Sequence, residues 1–191
     1  MAQNRDYQIV LADPPWPYND KQGPRAAPEH RPNSWDTVTG AAGAPIRYGD
    51  MSMTALKNLP VEENVQESAH LYLWTTNAFM VEAHELAEAW GFEQKTIITW
   101  VKICKDEFRP SMKTGHYYRG ATEHLLFCVR GGLNTSGDPH PTALLHERGS
   151  HSTKPDAAYT MIEEKSPEPY LELFARQWKP PMFEKRSGWD V

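Results

Sequence analysis

"YQIVLADPPWPY", residues 7 to 18, decides the fold: an apolar, β-branched run from Tyr7 to Ala12 stops at a lone carboxylate, Asp13, followed by two prolines and a tryptophan. A short run of that kind bounded by turn formers reads as a buried strand, which puts Asp13 at its carboxyl end. In open α/β sheets that is the edge where ligands bind. Proline fixes φ and removes a backbone donor, so Pro14 and Pro15 predict a rigid corner offering acceptors: the Asp13 carboxylate and the Pro14 carbonyl. Two convergent acceptors suit a planar amino group, because they offset the positive charge that grows as its nitrogen attacks an electrophile. Trp16 adds an aromatic face on which a base can stack. A proline-stiffened strand end with a core tryptophan would carry the same letters, so these residues leave both readings open.

Outward from the corner, strand and helix patterns alternate. A short helix near Thr54 to Asn58 precedes the strand "HLYLW", 70 to 74. In "NAFMVEAHELAEAWG", 77 to 91, Phe79, Ala83, Leu86 and Trp90 share one stripe, with Asn77 at the start as a cap and Gly91 at the end. Strand-like runs follow at "KTIITWVK" (95 to 102), "EHLLFCVRG" (123 to 131) and "ALLHE" (143 to 147). A helix from Pro155 to about Lys165 and the run "YLELFA", 170 to 175, complete the series. Strands separated by helices predict an α/β fold with a mostly parallel sheet and helices on both faces. Residues 1 to 191 are long enough for one sizeable core and are read as a single domain.

Two long stretches, 17 to 49 and 105 to 122, break the periodicity and are expected near the active site. The second, "KDEFRPSMKTGHYYRGAT", interleaves cations and aromatics, so Arg109, Lys113 and Arg119 can meet phosphates while Tyr117 and Tyr118 offer stacking faces. An ordinary exposed loop would look the same.

Composition excludes several classes. The net charge of −5 carries no global basic signature, so nucleic-acid contact is expected to be local or assisted by a helper subunit. No apolar stretch reaches the roughly 18 residues of a membrane span and no signal peptide is evident, hence the expectation of a cytoplasmic protein. Two cysteines are too few for a disulfide framework. "HELAE" at His84 lacks the second histidine of a zinc-protease helix, so no metal is expected, and "TGAAGAP" lacks the Lys-Ser/Thr of a phosphate loop.

The motifs "ADPPWPY", "YGDMS", "LYLWTT", "EHLLFCVRG", "HSTKPDAAYTMIEE" and "SPEPYLELFARQW" occur in that order over nearly the whole chain. In that order they resemble the DPPW-type adenine-N6 methyltransferases, the family of the eukaryotic mRNA adenosine methyltransferase catalytic subunit, with small bacterial and phage members that act on DNA. The resemblance implies a Rossmann-like fold with permuted motif order and S-adenosylmethionine (SAM) as cofactor. It implies Asp13, Pro14, Pro15 and Trp16 as the catalytic motif and Tyr48 near the target base. For SAM it implies Asp13, Lys154, Glu172, Phe174 and Arg176. Lys154 before Pro155, a favourable first helical residue, suits a carboxylate, although a solvated lysine remains an alternative. Glu172 suits ribose hydroxyls or, alternatively, an ion pair with Arg176.

Departures from the family accompany the match. "QWKPP" follows Arg176, six residues precede Tyr7, and the chain ends at "SGWDV", from which weak cofactor affinity is expected. The implied activity is SAM-dependent methylation of the adenine N6 amine in DNA. RNA methylation and a non-catalytic nucleic-acid-binding subunit stand as alternatives. Methylation of cytosine or of a glutamine amide fits less well, since related enzymes of those kinds more often place Ser or Asn before the prolines and Tyr after them.

Overall fold

A computed structural model describes residues 6–17, 38–39, 45–46, 51–105, 107–112, 117–149, 153–175 and 186–190. In chain order the elements are β1 (Tyr7–Ala12), a two-stranded antiparallel ribbon of β2 (Val38–Thr39) and β3 (Pro45–Ile46), α1 (Met53–Lys57), α2 (Val61–Asn64) and β4 (Val65–Thr75). A 3-10 turn (Asn77–Phe79) leads into α3 (Met80–Ala89). Then come β5 (Glu93–Cys104), β6 (Glu107–Pro110), β7 (Thr122–Arg130), β8 (Ala143–Glu147), α4 (Asp156–Lys165), β9 (Tyr170–Leu173) and β10 (Trp189–Asp190).

The main sheet runs β10-β9-β1-β4-β7-β5-β6, with β8 also on β5. The pairs β10–β9, β9–β1, β1–β4 and β5–β8 are parallel, whereas β4–β7, β7–β5 and β5–β6 are antiparallel. The sheet is therefore mixed, which corrects the expectation of a mostly parallel one. The cause is the stretch between β5 and β7: it holds a short strand where a parallel neighbour would need a crossover helix, so the chain returns antiparallel. That strand, Glu107–Pro110, falls in the region read as loop. All four of its residues are exposed, and an exposed edge strand leaves no apolar alternation in the sequence.

Helices cover both faces. Strand alternation sends Val10, Ala12, Leu71 and Leu73 to one side, where they meet Leu56 of α1 and Ala83, Leu86 and Ala87 of α3. Ile9, Leu11, Tyr72 and Trp74 go to the other, against Ala158, Tyr159, Met161 and Ile162 of α4 and Trp189 of β10. Each buried large apolar side chain contributes about 1.5–3 kcal/mol, so both layers are needed to stabilise a sheet this size. The stripe read from 77 to 91 is found: Ala83, Leu86 and Trp90 are buried and Phe79 packs against them, while Gly91, at φ 80, ends the helix. Asn77 does not cap α3, because its side-chain oxygen is hydrogen bonded to His124 Nε2. Among the described residues no helix is long and apolar enough to cross a membrane.

Gly131 closes the end of β7 at φ 63, and a Cβ there would stand closer than 3.0 Å to the Glu67 carbonyl oxygen and to Ser68 Oγ. Gly131→Ala is expected to destabilise by more than about 1 kcal/mol, since both the backbone region and the space forbid it. The urea midpoint measures this, and an unchanged midpoint would contradict the turn described.

Candidate active site

Strand register assembles all of the site except Lys154 and Tyr159. Leu11 of β1 pairs with Tyr72 of β4 and Glu172 of β9, so these three side chains share the face that α4 covers. Two residues beyond Leu11 comes Asp13, and two beyond Tyr72 comes Trp74. Trp74 pairs with Leu125 of β7; two residues before Leu125 is Glu123, which pairs with Trp100 of β5, and Lys102 follows on the same side. Glu172, Asp13, Trp74, Glu123 and Lys102 thus form a row along the edge where β1, β4, β5 and β9 end. The chain entering α4 lays Lys154 over that row.

The row is an alternating chain of charges. Lys154 Nζ lies 2.9 Å from Asp13 Oδ1 and 3.0 Å from Glu123 Oε2, and 5.1 Å from the centre of the Trp74 ring. The Lys102 ammonium donates to the other Glu123 oxygen and sits 4.6 Å above the Trp100 ring. Burial works against charge on Lys154, but Asp13 and Glu123 outweigh it and hold the ammonium above the usual lysine range. Burial likewise pushes Glu123 up, and the two lysines more than reverse this, holding its carboxyl below the usual range. The alternative of a solvated Lys154 is not what is found, since its side chain is 14% exposed and doubly paired.

Glu172 stands apart from these pairs. Tyr159 donates its hydroxyl to Oε1 at 2.8 Å, while Oε2 is buried without a hydrogen-bond partner among the described residues. Burial raises the Glu172 carboxyl above its ordinary range, the Tyr159 hydrogen bond opposes that, and nearby Asp13 adds to it. Trp74 Nε1 is the second buried polar atom in that condition. A buried acceptor with no partner costs about 1–3 kcal/mol, so it marks a place where a donor is missing.

The proline corner is tighter than its sequence suggests. The Pro14 carbonyl was expected to lack a neighbouring amide, yet the Trp16 N–H folds back onto it at 2.9 Å, and the Met51 N–H bonds the Pro15 carbonyl at 3.1 Å. The correction has a simple cause: a reversal this sharp brings residue i+2 within reach of its own turn. That bond uses one of the two lone pairs of the Pro14 oxygen. Trp16 is 4% exposed, stacked on Phe79 at 5.6 Å, with its indole N–H donated to the Trp74 carbonyl at 3.2 Å. Phe174, just past β9, adopts φ 64, a left-handed conformation sparsely used outside glycine that marks the strand end beside Asp13.

Of the expected nucleic-acid contacts, Arg109 is exposed and paired with Glu107 of its own strand, and Arg119 is exposed. Tyr117 is 97% exposed and Tyr118 93%. Tyr48, Lys113 and Arg176 lie outside the described residues. Sequence reasoning missed Glu123, Lys102, Trp74 and Tyr159. Alternation in "EHLLF" puts Glu123 in phase with buried Leu125, which was the available signal for the first.

SAM can be tested against these residues. It brings hydroxyl and ammonium donors, a carboxylate and an adenine, and the row offers Glu172 Oε2 as a free acceptor and the Lys154 ammonium for an anion. The donor and acceptor types match. Among the described residues no group of three or more His, Cys, Asp or Glu is arranged to hold a metal ion.

Comparisons with known proteins agree in direction. The MT-A70 family profile matches residues 7–184. The type II methyltransferase M.MunI of Mycoplasma sp is 30% identical over 191 residues, covering 97% of this chain and 76% of that protein. The human N(6)-adenosine-methyltransferase catalytic subunit METTL3 is 32% identical over 175 residues, 89% of this chain but 26% of its own length. The Arabidopsis thaliana N6-adenosine-methyltransferase non-catalytic subunit MTB is 23% identical over 137 residues, 70% of this chain and 15% of that one. The chain thus spans most of the Mycoplasma relative and about a quarter or less of the eukaryotic ones.

Proposed function

The chain belongs to the MT-A70 family, and on that premise we propose that it transfers a methyl group from SAM to the exocyclic N6 amine of adenine in DNA, within a Rossmann-like fold. The observation that carries the reading is the row at the sheet edge: a carboxylate at the strand end, Asp13, flanked by a lysine that can take an anion and by a buried glutamate with an unsatisfied oxygen.

When bound, the cofactor supplies an electrophilic methyl on a sulfonium. Lys154 would hold its carboxylate and Glu172 would accept from its hydroxyls, and the family resemblance assigns Phe174 and Arg176 to it as well. Asp13 and the Pro14 carbonyl accept the amine hydrogens and orient the nitrogen lone pair, and the proton leaves to the Asp13 carboxylate or to water. Such a step needs no covalent enzyme intermediate. Trp16, expected to offer a stacking face, is instead buried against Phe79 and supports the corner, so contact with the base is assigned to Tyr48, and contact with the strand to Arg109, Lys113, Tyr117 and Arg119.

DNA is favoured because the relative covered over most of its length is a type II methyltransferase. A second subunit that supplies target recognition fits the acidic total charge and the similarity to a subunit of a eukaryotic methyltransferase. Incubation with methyl-labelled SAM and host DNA or RNA, each digested to nucleosides, tests the substrate. Label on deoxyadenosine is expected; label confined to RNA adenosine would make RNA the substrate, and none in either would remove the proposal.

Glu172→Gln separates binding from stability. Because burial raises the Glu172 carboxyl, folding favours its neutral form, and stability from this group is greatest at low pH and falls as pH rises through the folded value. The neutral amide is therefore expected to raise the neutral-pH melting temperature while weakening SAM binding about tenfold by calorimetry, the loss of about one hydrogen bond to a charged acceptor. A variant both less stable and equally tight would contradict the assignment.

A further inference from the structure

Lys102 is 4% exposed, and the proposed reaction as described gives it no task. A buried lysine is unusual, and its bonds explain what keeps it there. Its amide donates to the Ala121 carbonyl at 2.8 Å and its carbonyl accepts from the Ser111 amide at 2.6 Å. These partners stand at the two ends of the stretch that carries Tyr117, Tyr118 and Arg119. Its ammonium, meanwhile, is bonded to Glu123, the carboxylate that shares Lys154 with Asp13. One residue is thus fastened to both ends of the basic, aromatic stretch and to the charge chain that ends on Asp13.

We propose that Lys102 is a positioning residue for methyl transfer: it anchors Glu123, so that Lys154 is divided between Glu123 and Asp13, and it joins that arrangement to the base of the stretch that meets nucleic acid. This rests on the function proposed above and adds a residue to it.

The argument is one of charge balance. Glu123 is faced by Lys102 from β5 and by Lys154 from the approach to α4, with Asp13 beyond Lys154, while its neighbour His124 points to the other face of β7, bonded to Thr99 and Asn77, and feels Glu123 only through its charge. Among the described residues Lys102 and Lys154 balance Glu123 and Asp13, while Glu172, at the far end of the row, has its carboxyl raised by burial toward the neutral form. With Lys102 discharged, two carboxylates share Lys154, and Glu123, the more buried of the two, draws the ammonium from Asp13. Asp13 is then misplaced for the amine, although none of the groups that touch substrate has changed. The depressed Glu123 carboxyl agrees with this division of labour, since Lys102 is one of its causes.

The test compares Lys102→Met, which keeps the alkyl stem, with Lys102→Arg, which restores the cation, in the full chain. Single-adenine oligonucleotide and SAM are the substrates. The expected result is a kcat at least tenfold lower in Lys102→Met, an oligonucleotide KM within threefold of wild type, an acid limb of the rate profile moved to higher pH, and recovery of kcat to within threefold in Lys102→Arg. Glu123→Gln, nearly isosteric, removes the charge that Lys102 anchors and is expected to lower kcat likewise; it carries the test if Lys102→Met does not fold. Wild-type kcat and acid limb in Lys102→Met, or in Glu123→Gln, would overturn the inference and leave the function standing. Absence of methyl transfer by the wild-type protein would overturn both.

Discussion

Asp13→Asn is expected to slow methyl transfer at saturating substrate by about 10²–10³-fold, the usual loss when a preorganised electrostatic partner is removed from a developing charge. The substitution keeps the shape and one acceptor oxygen. It removes the negative charge and introduces an NH2 that faces the substrate amine donor to donor. It also frees Lys154 from one of its two carboxylates, Asp13 Oδ1 at 2.9 Å, so the ammonium moves toward Glu123. The Asp13 side chain is 31% exposed, which limits the effect on folding, and the melting temperature is expected to change little. Single-turnover kinetics read the chemical step directly. A rate within threefold of wild type would mean that Asp13 does not receive the amine.

Lys154→Met is the larger effect on the fold. Deleting the shared cation leaves Asp13 and Glu123 side by side with Lys102 as the remaining counter-ion. Breaking a buried pair by removing one partner costs about 3–5 kcal/mol; the lower end applies, because Lys102 still serves Glu123 and Asp13 is partly solvated. The pH dependence carries a signature. Lys154 is raised from 10.5, so its contribution is complete below that value and is lost as pH climbs through the folded one. Glu123 is lowered from 4.5, so its contribution is complete above 4.5 and is lost as pH falls through its folded value. Wild-type stability is therefore expected to fall at both extremes, and Lys154→Met to flatten both limbs and lose most near neutrality. Urea unfolding at about pH 3, 7 and 11, outside and between the two unfolded values, measures it. A uniform loss at all three would assign the cost to packing rather than charge. The variant is also expected to bind SAM at least tenfold more weakly.

Much of this edge was legible in sequence because its chemistry follows the period of two along a strand. "YQIVLADPPW" specified a buried strand ending on a carboxylate, and β1 ends at Ala12 with Asp13 next. "ALLHE" became β8 over the residues read, and the stripe through Phe79, Ala83, Leu86 and Trp90 faces the core. The order of strands was not legible: β7 lies between β4 and β5, and the described part of the connection before it holds a strand and no helix, which is a property of the connection, not of the strand. Glu123 was hidden by its apolar neighbours Leu125, Leu126 and Phe127, which read as core. Lys102 was hidden too, since a lysine ending an apolar strand ordinarily lies in solvent, and its burial depends on Glu123 from another strand. The fold-back of the Trp16 amide depends on backbone geometry that two prolines constrain without determining.

The idea that the Asp13 corner presents acceptors to an exocyclic amine is tested most directly by locating the methyl group. An oligonucleotide containing one adenine, incubated with methyl-labelled SAM and analysed by fragmentation mass spectrometry, is expected to carry the label on N6 of that adenine. Label on a ring nitrogen, on cytosine or on none of the bases would contradict it.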